Sequence, residues 1–214
     1  EGKTLHFSGG ETMAYDKLVI ATGSKSNKFG WPGQDLEGVQ GLYSYQDLET
    51  MEANTKNISR AVIVGGGLIG IEMAEMLRSR NIPVTFLVRE ESFWDNVLPN
   101  GESQMINRHI KEHQIDLRLA TELKEIVSDE NGRVKSIITG TGETIKCEFV
   151  GLTAGVSPNI GLLKGSRIET KRGVLVDPFL KTNIDDVYAL GDCAEFLEPN
   201  GERKNIEQVW YTGR

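Results

Sequence analysis

The stretch Arg60-Ala61-Val62-Ile63-Val64-Gly65-Gly66-Gly67-Leu68-Ile69-Gly70 decides how the whole chain is read. Four apolar residues in a row, 61–64, read as a strand covered on both faces. Three glycines break it. Apolar residues then recur at helical spacing: Leu68, Ile69, Met73, Met76 and Leu77, with the small Ala74 allowing close approach. Asn81 and Pro83 stop that helix. Pro83 also opens a second apolar strand, 84–88, so strand, glycines, helix and strand are complete within 28 residues. A further helix is expected over 101–113 and a short strand over 115–119. This βαβαβ order predicts a parallel sheet with right-handed crossovers.

Residues 65–70 fit the pattern GxGxxG. Gly65 lets the chain turn sharply out of the strand, and Gly67 removes the side chain that would keep a pyrophosphate away. Gly70 lets helix and strand approach closely. The helix then starts with free N–H groups and a partial positive charge facing a phosphate. Gly65, Gly67, Leu68, Ile69 and Gly70 are therefore candidate contacts for a dinucleotide. The pattern alone is weak evidence; the strand before it and the helix and strand after it give it weight. The end of the second strand should read the adenosine ribose, where an acid suits NAD and an arginine suits NADP. Here it ends Val88-Arg89-Glu90, and the two charges leave both nucleotides open.

Working outward, strands are expected over 123–128, 133–139 and 143–150, joined at Asn131-Gly132 and Thr141-Gly142. Asn-Gly is a strong hairpin signal. The three should form an antiparallel meander over one face of the parallel sheet. Upstream, residues 1–24 read as two strands around a turn at Gly9-Gly10. The second, Lys17-Leu18-Val19-Ile20-Ala21, is apolar enough to be covered on both sides and is closed by Thr22-Gly23. Residues 25–56 read as an irregular crossing with a turn at Trp31-Pro32-Gly33 and a short acidic helix over 46–52. Downstream, a small strand over 174–176 precedes another apolar strand, 187–190, that ends at Gly191-Asp192.

Composition bounds the function. The chain has 214 residues, and 24 Lys and Arg against 31 Asp and Glu give a net charge of −7, which argues against broad contact with nucleic acid or an anionic membrane. Its only cysteines, Cys147 and Cys193, can form neither a zinc cluster nor a CxxC pair, so both read as packed thiols in a reducing compartment. His109 and His113 stand four apart on a predicted helix, but no third ligand accompanies them, and no metal site is expected. Neither GxSxG nor a Ser-His-Asp arrangement is present. Phe93-Trp94 and Trp210-Tyr211 lack the clustered cations of a nucleic-acid surface, and packing against an adenine or a neighbouring domain fits these aromatic pairs better. No apolar run is long enough to span a bilayer, and a cytoplasmic location is expected. The chain starts at Glu1 without Met and stops inside what reads as a helix, so a piece of a longer protein is expected.

Three separated stretches resemble one family when taken together: Tyr15-Asp16-Lys17-Leu18-Val19-Ile20-Ala21-Thr22-Gly23; Ala61 to Gly70 with Glu72; and Gly173-Val174-Leu175-Val176-Asp177 leading to Tyr188-Ala189-Leu190-Gly191-Asp192-Cys193. They are similar to the pyridine nucleotide–disulfide oxidoreductase superfamily, the flavoproteins that include NADH oxidases and rubredoxin and ferredoxin reductases. The resemblance implies an α/β fold: a Rossmann-like NAD(P)-binding domain, 57–148, with its meander, inserted into an incomplete FAD-binding domain, 1–56 and 149–214. It places Thr22, Gly23, Gly191 and Asp192 near FAD, and Glu72 and Gly155 near the nicotinamide end of NAD or NADP. The strand–GxGxxG–helix that should cradle the FAD pyrophosphate, and the carboxy-terminal interface domain, are expected to lie outside this chain.

The implied activity is hydride transfer from NAD(P)H to FAD and onward to an acceptor: oxygen, a small iron protein or a disulfide. No catalytic acid, base or nucleophile is assigned, because the hydride step asks the protein mainly to position two rings. A homodimer is one assembly left open. The alternative is a nucleotide-binding interaction protein resembling apoptosis-inducing factor, to which Ile206-Glu207-Gln208-Val209-Trp210 is similar.

Overall fold

The computed structural model describes residues 2–197 and 201–205. The chain divides into two units, Ser26–Val156 and the pair of segments Glu1–Lys25 with Ser157–Arg214.

In the larger unit a five-stranded sheet forms the middle layer. Its elements in chain order are β1 (Val39–Gln40), α1 (Tyr45–Asn54), β2 (Ala61–Val64), α2 (Leu68–Ser79), β3 (Val84–Leu87), α3 (Asn100–Glu112) and β4 (Asp116–Arg118). The meander strands β5 (Leu123–Ser128), β6 (Val134–Thr139) and β7 (Thr144–Lys146) follow, and β8 (Phe149–Leu152) returns to the sheet. The sheet order is β1-β8-β2-β3-β4, and every neighbouring pair is parallel.

Burial explains the layering. All four residues of β2, β3 and β8 are buried, as strands covered on both faces must be. Their side chains alternate between two cores. Ala61, Ile63, Phe86 and Phe149 pack with Met73, Ala74 and Leu77 of α2 and Ile110 of α3. Val62, Val64, Leu87, Val150 and Leu152 pack with Leu123, Ile126, Ile137 and Ile145 of the meander. The expected cover of one face by the meander is therefore observed, with helices on the other. Fully burying one such aliphatic side chain is worth about 1.5–3 kcal/mol.

Several expectations need correction. The strand expected over 143–150 is two strands. Thr144 and Lys146 are exposed around buried Ile145, the alternation of a meander strand, whereas Phe149–Leu152 is wholly buried and joins the parallel sheet. Residues 26–56 and 149–156 belong to the larger unit, because β1 and β8 pair within its sheet. The acidic helix is longer than 46–52. Ser44 caps α1, accepting from the Asp47 N–H at 3.1 Å while the Asp47 carboxylate accepts from the Ser44 N–H at 2.9 Å. Leu68 does not join the buried face of α2; it is 56% exposed.

In the smaller unit, Thr4–His6 and Thr12–Ala14 form an antiparallel hairpin, and Leu18–Ile20 pairs in parallel with Val187–Ala189. Thr12–Ala14 is a strand the sequence did not announce: it is three residues long and exposed throughout, too short to show the alternation of a half-buried strand. Nor is Leu18–Ile20 covered on both faces. Ile20 enters the core with Val174, Val176, Val187, Ala189 and Ala194, while Val19 is 52% exposed. Val174–Val176 pairs in parallel with Ala194–Leu197, which pairs antiparallel with Arg203–Asn205. The buried Glu195 carboxylate ties this sheet to its entry loop by accepting from the N–H groups of Arg172 and Gly173 at 2.8 and 2.9 Å.

Both cysteines are free and buried. Burial, aided by the nearby Glu148 charge, pushes the Cys147 thiol up to about 12. The folded chain then holds this proton where the unfolded chain has already lost it, so the contribution to stability falls as pH rises from about 9 toward 12. We expect neither thiol to react with an aromatic disulfide at pH 8 in the native protein, and both to react once denaturant is added. Prompt labelling of Cys147 without denaturant contradicts this packing.

Candidate functional site

The order β1-β8-β2-β3-β4 reverses direction at β2: the chain leaves it for β3 on one side, and β8 returns on the other. Open parallel sheets bind ligands just beyond the carboxyl ends of the strands at such a point. A cavity of about 650 Å³ lies there, lined by Gly65, Gly66 and Gly67 after β2, by Arg89 and Glu90 after β3, and by Thr153, Ala154 and Gly155 after β8.

The glycine turn is built by close contacts. Gly65 has a φ of +118°, and a Cβ there would lie 2.7 Å from the Thr153 carbonyl. A Cβ on Gly70 would meet the Gly65 carbonyl oxygen at 2.4 Å and Thr153 Oγ1 at 2.7 Å. Gly67 differs from both: nothing lies within 4 Å of its missing side chain, and it is the N-cap of α2 with no side chain capping the helix. The first turn of α2 thus keeps the donors and partial positive charge that an anion would use. Such a cradle, which a Cβ on Gly67 would begin to fill, fits a phosphate-bearing ligand.

Thr153 locks this corner. Its N–H donates to the Val64 carbonyl at 2.8 Å, and its hydroxyl reaches the Val64 and Gly65 carbonyls at 3.0 and 3.1 Å. Sequence reasoning passed over it. The available signal was its place directly after a fully apolar strand, in Leu152-Thr153-Ala154-Gly155, much as Thr22 and Gly23 follow Ile20. Phe29, Trp31, Val97 and Thr121 also line the cavity and were not assigned to it, and so does Trp94, one of the aromatics expected to pack on an adenine or a neighbouring domain.

Of the remaining candidates, Arg89 and Glu90 stand together, Arg89 Nη2 lying 3.0 Å from Glu90 Oε1. With the Arg89 side chain 73% exposed, that pair is worth less than about 1 kcal/mol and can open for a ligand. Leu68 lines a neighbouring groove between α2 and α3, Ile69 is half-buried, and Glu72 is exposed on the second turn of α2; none of the three lines the cavity. Gly155 does, and its carbonyl accepts from the Asn27 N–H at 3.0 Å.

The smaller unit groups Thr22, Gly23, Gly191 and Asp192 just beyond its parallel pair. The Thr22 hydroxyl donates to the Asn159 carbonyl at 2.7 Å, and the Gly23 carbonyl accepts from the Asn159 N–H at 2.8 Å. Gly191–Cys193 is a short 3₁₀ turn, with open space at the missing Gly191 side chain and Asp192 half-buried beside it. The Cys193 thiol is buried and reaches the Leu190 and Ile20 carbonyls at 3.3 and 3.4 Å, which fits a packing role. Among the described residues there is no group of three metal-ligating side chains and no helix long and apolar enough to cross a membrane. Residues 206–210 and the pair Trp210-Tyr211 lie outside the described residues.

The contacts separate two glycines. Gly70→Ala forces the α2 backbone off Gly65 and Thr153 and should destabilise the protein by about 1–3 kcal/mol. Gly67→Ala meets open space and should cost less than about 1 kcal/mol, the loss of a favourable N-cap. Urea denaturation of both variants checks this; equal losses would contradict the geometry.

This chain is similar to known proteins. Monodehydroascorbate reductase of Solanum lycopersicum is 33% identical over 213 residues, which are 97% of this chain and 49% of the relative. NADH-rubredoxin oxidoreductase of Clostridium acetobutylicum is 30% identical over 204 residues, 95% of this chain and 49% of the relative. The chain thus spans about half the length of each of these relatives. Among solved structures, a ferredoxin reductase from Rhodopseudomonas palustris superposes with a TM-score of 0.86 at 26% identity, covering 96% of this chain and 51% of the other. A FAD-dependent pyridine nucleotide-disulphide oxidoreductase from Desulfovibrio vulgaris gives 0.82 at 30% identity, covering 96% and 54%. With the family's sequence profile matching residues 1–213, from the hairpin through the glycine turn and beyond Asp192, the chain belongs to the pyridine nucleotide-disulphide oxidoreductase family.

Proposed function

We propose that this chain is the nucleotide-handling part of a flavin-dependent oxidoreductase. It takes reduced NAD or NADP in the cavity over β2, β3 and β8 and feeds electrons through FAD to a further acceptor. The observation that carries this reading is the uncapped start of α2 at Gly67, open on the side where a pyrophosphate would sit. Ser26–Val156 is then the NAD(P)-binding module, and Glu1–Lys25 with Ser157–Arg214 the flavin side.

The residues divide the work. Gly65 and Gly67 keep side chains away from the pyrophosphate, and the N–H groups at the start of α2, including those of Leu68 and Ile69, offset its charge. Gly70 acts indirectly, by letting α2 sit this close to the turn. Arg89 and Glu90 meet the adenosine ribose, and Gly155 lies toward the nicotinamide. Asp192 accepts from flavin hydroxyls, with Gly191, Thr22 and Gly23 giving the flavin close access to backbone. A bound flavin supplies a two-electron acceptor for hydride from reduced nicotinamide. The protein's part in that step is alignment and exclusion of water, which needs no side-chain acid or base. Two of the relatives, named for rubredoxin and ferredoxin, support a small iron protein as the acceptor.

Spectroscopy tests the proposal. The full-length protein should carry flavin absorbance that bleaches within seconds of adding NADH or NADPH under anaerobic conditions; a colourless protein, or bands that neither nucleotide bleaches, contradicts it. The Arg89–Glu90 pair makes a second prediction. Glu90→Gln removes the carboxylate that repels a 2′-phosphate and frees Arg89, so the ratio of NADPH to NADH affinity should rise about three- to fivefold. An unchanged or lower ratio would remove Glu90 from the ribose site.

A further inference from the structure

We infer that Trp94 is the platform on which the adenine base of the dinucleotide stacks, a role that rests on the proposed nucleotide reading of the cavity. The path of such a ligand is set by the strand ends. Its pyrophosphate belongs at the glycine turn after β2 and its ribose at Arg89 and Glu90 after β3. The base must therefore reach the next wall on the β3 side. Trp94, Asn96 and Val97 line the cavity there, on the loop that continues from β3.

The backbone at Trp94 is held where a bulky residue rarely goes, with a φ of +58°. Such a conformation persists only where its surroundings over-determine it, and here they do. Just before it, the Phe93 N–H donates to Asn107 Oδ1 at 3.0 Å, and the Phe93 carbonyl accepts from the Ser103 hydroxyl at 2.7 Å. Asn107 Nδ2 donates to Ser92 Oγ at 2.7 Å, and the Ser92 and Ser103 hydroxyls bond to each other. All of these groups are buried and anchor the loop to α3. Just after it, the Trp94 carbonyl accepts from the N–H groups of Val97 and Leu98 at 3.0 and 2.8 Å.

The indole is fixed as well. It stacks on the buried Phe93 ring with centroids 6.0 Å apart and planes 20° apart. Trp94 itself is half-buried: it packs against the core that holds Phe86 and Phe93, and it borders both the cavity and the neighbouring groove between α2 and α3. The other aromatic residues of the cavity suit the role less. Phe29 is 62% exposed and meets Trp31 edge-on, and both precede β1, whereas Trp94 lies on the loop that continues from β3; Trp31 and Trp94 each pack against a core. A rigid indole that lines the cavity beyond the ribose position suits a planar purine, and stacking tolerates the base without reading its edges.

The test is calorimetric titration of the purified protein with ADP-ribose, which carries the adenine half of the dinucleotide and no nicotinamide, for wild type, W94F, W94L and W94A. Every variant leaves a β-carbon at the same strained position, so the side chain is what changes, and melting curves confirm folding. Loss of a stacked base weakens binding by at least about fivefold. We expect W94L and W94A to lose at least that much and W94F to stay within about threefold of wild type. If W94L or W94A binds as wild type does, the ring is not a stacking surface and the inference falls. If W94F loses as much as W94A, a flat ring is not what the ligand needs, and it falls again. If wild type itself does not take up ADP-ribose, the nucleotide reading of the cavity fails first and this inference with it.

Discussion

One close approach governs the site: α2 lies against the gap between β2 and β8 because nothing larger than hydrogen stands at Gly70. A methyl group there would sit 2.4 Å from the Gly65 carbonyl oxygen, closer than any real contact, and would press on Thr153 as well. With Gly70 in place, the helix starts at the switch point of the sheet and brings its uncapped amino terminus to the cavity floor. Thr153 secures the same corner from the other side by bonding to the ends of β2. Parallel order, glycine turn and cavity are thus parts of a single arrangement.

Electrostatics show why that arrangement matters. The chain carries a net charge of −7, yet its proposed ligand is an anion. Charges spread over the surface are screened beyond about 8 Å at physiological salt. A helix terminus pointing at a phosphate contributes about 0.3–1 kcal/mol when exposed and up to about 2 kcal/mol when partly buried. Local donors therefore outweigh the distant surplus of carboxylates. The same reasoning gives Arg89 and Glu90 a modest part: an exposed pair that opens at little cost can adjust to the ribose but cannot hold the ligand by itself.

The sequence made much of this legible. The unbroken apolar run at 61–64, the largely apolar, β-branched run at 84–88, the glycines within 65–70 and the Asn131-Gly132 turn located the sheet, the nucleotide turn and the meander, because each has a strong local cause. Other features escaped for equally physical reasons. β1 is two residues long, and Thr12–Ala14 is exposed throughout, so neither has a periodicity to detect. The split between β7 and β8 depends on which layer each joins, a tertiary fact hidden in one run of strand-like residues. Leu68 looked like core because it is apolar and stands at helical spacing with Met73, Met76 and Leu77, but the helix turns it toward the neighbouring groove. Thr153 became visible as a cavity residue only once separate strand ends were brought together, whereas Trp94 was legible in the sequence as an aromatic that packs on an adenine or a neighbouring domain.

The most direct measurement is a crystal structure of the protein soaked with NADH. The pyrophosphate should lie over Gly65–Gly67 at the start of α2, with the adenosine ribose beside Arg89 and Glu90. Dinucleotide bound elsewhere, or a glycine turn that stays empty under saturating ligand, would contradict the account.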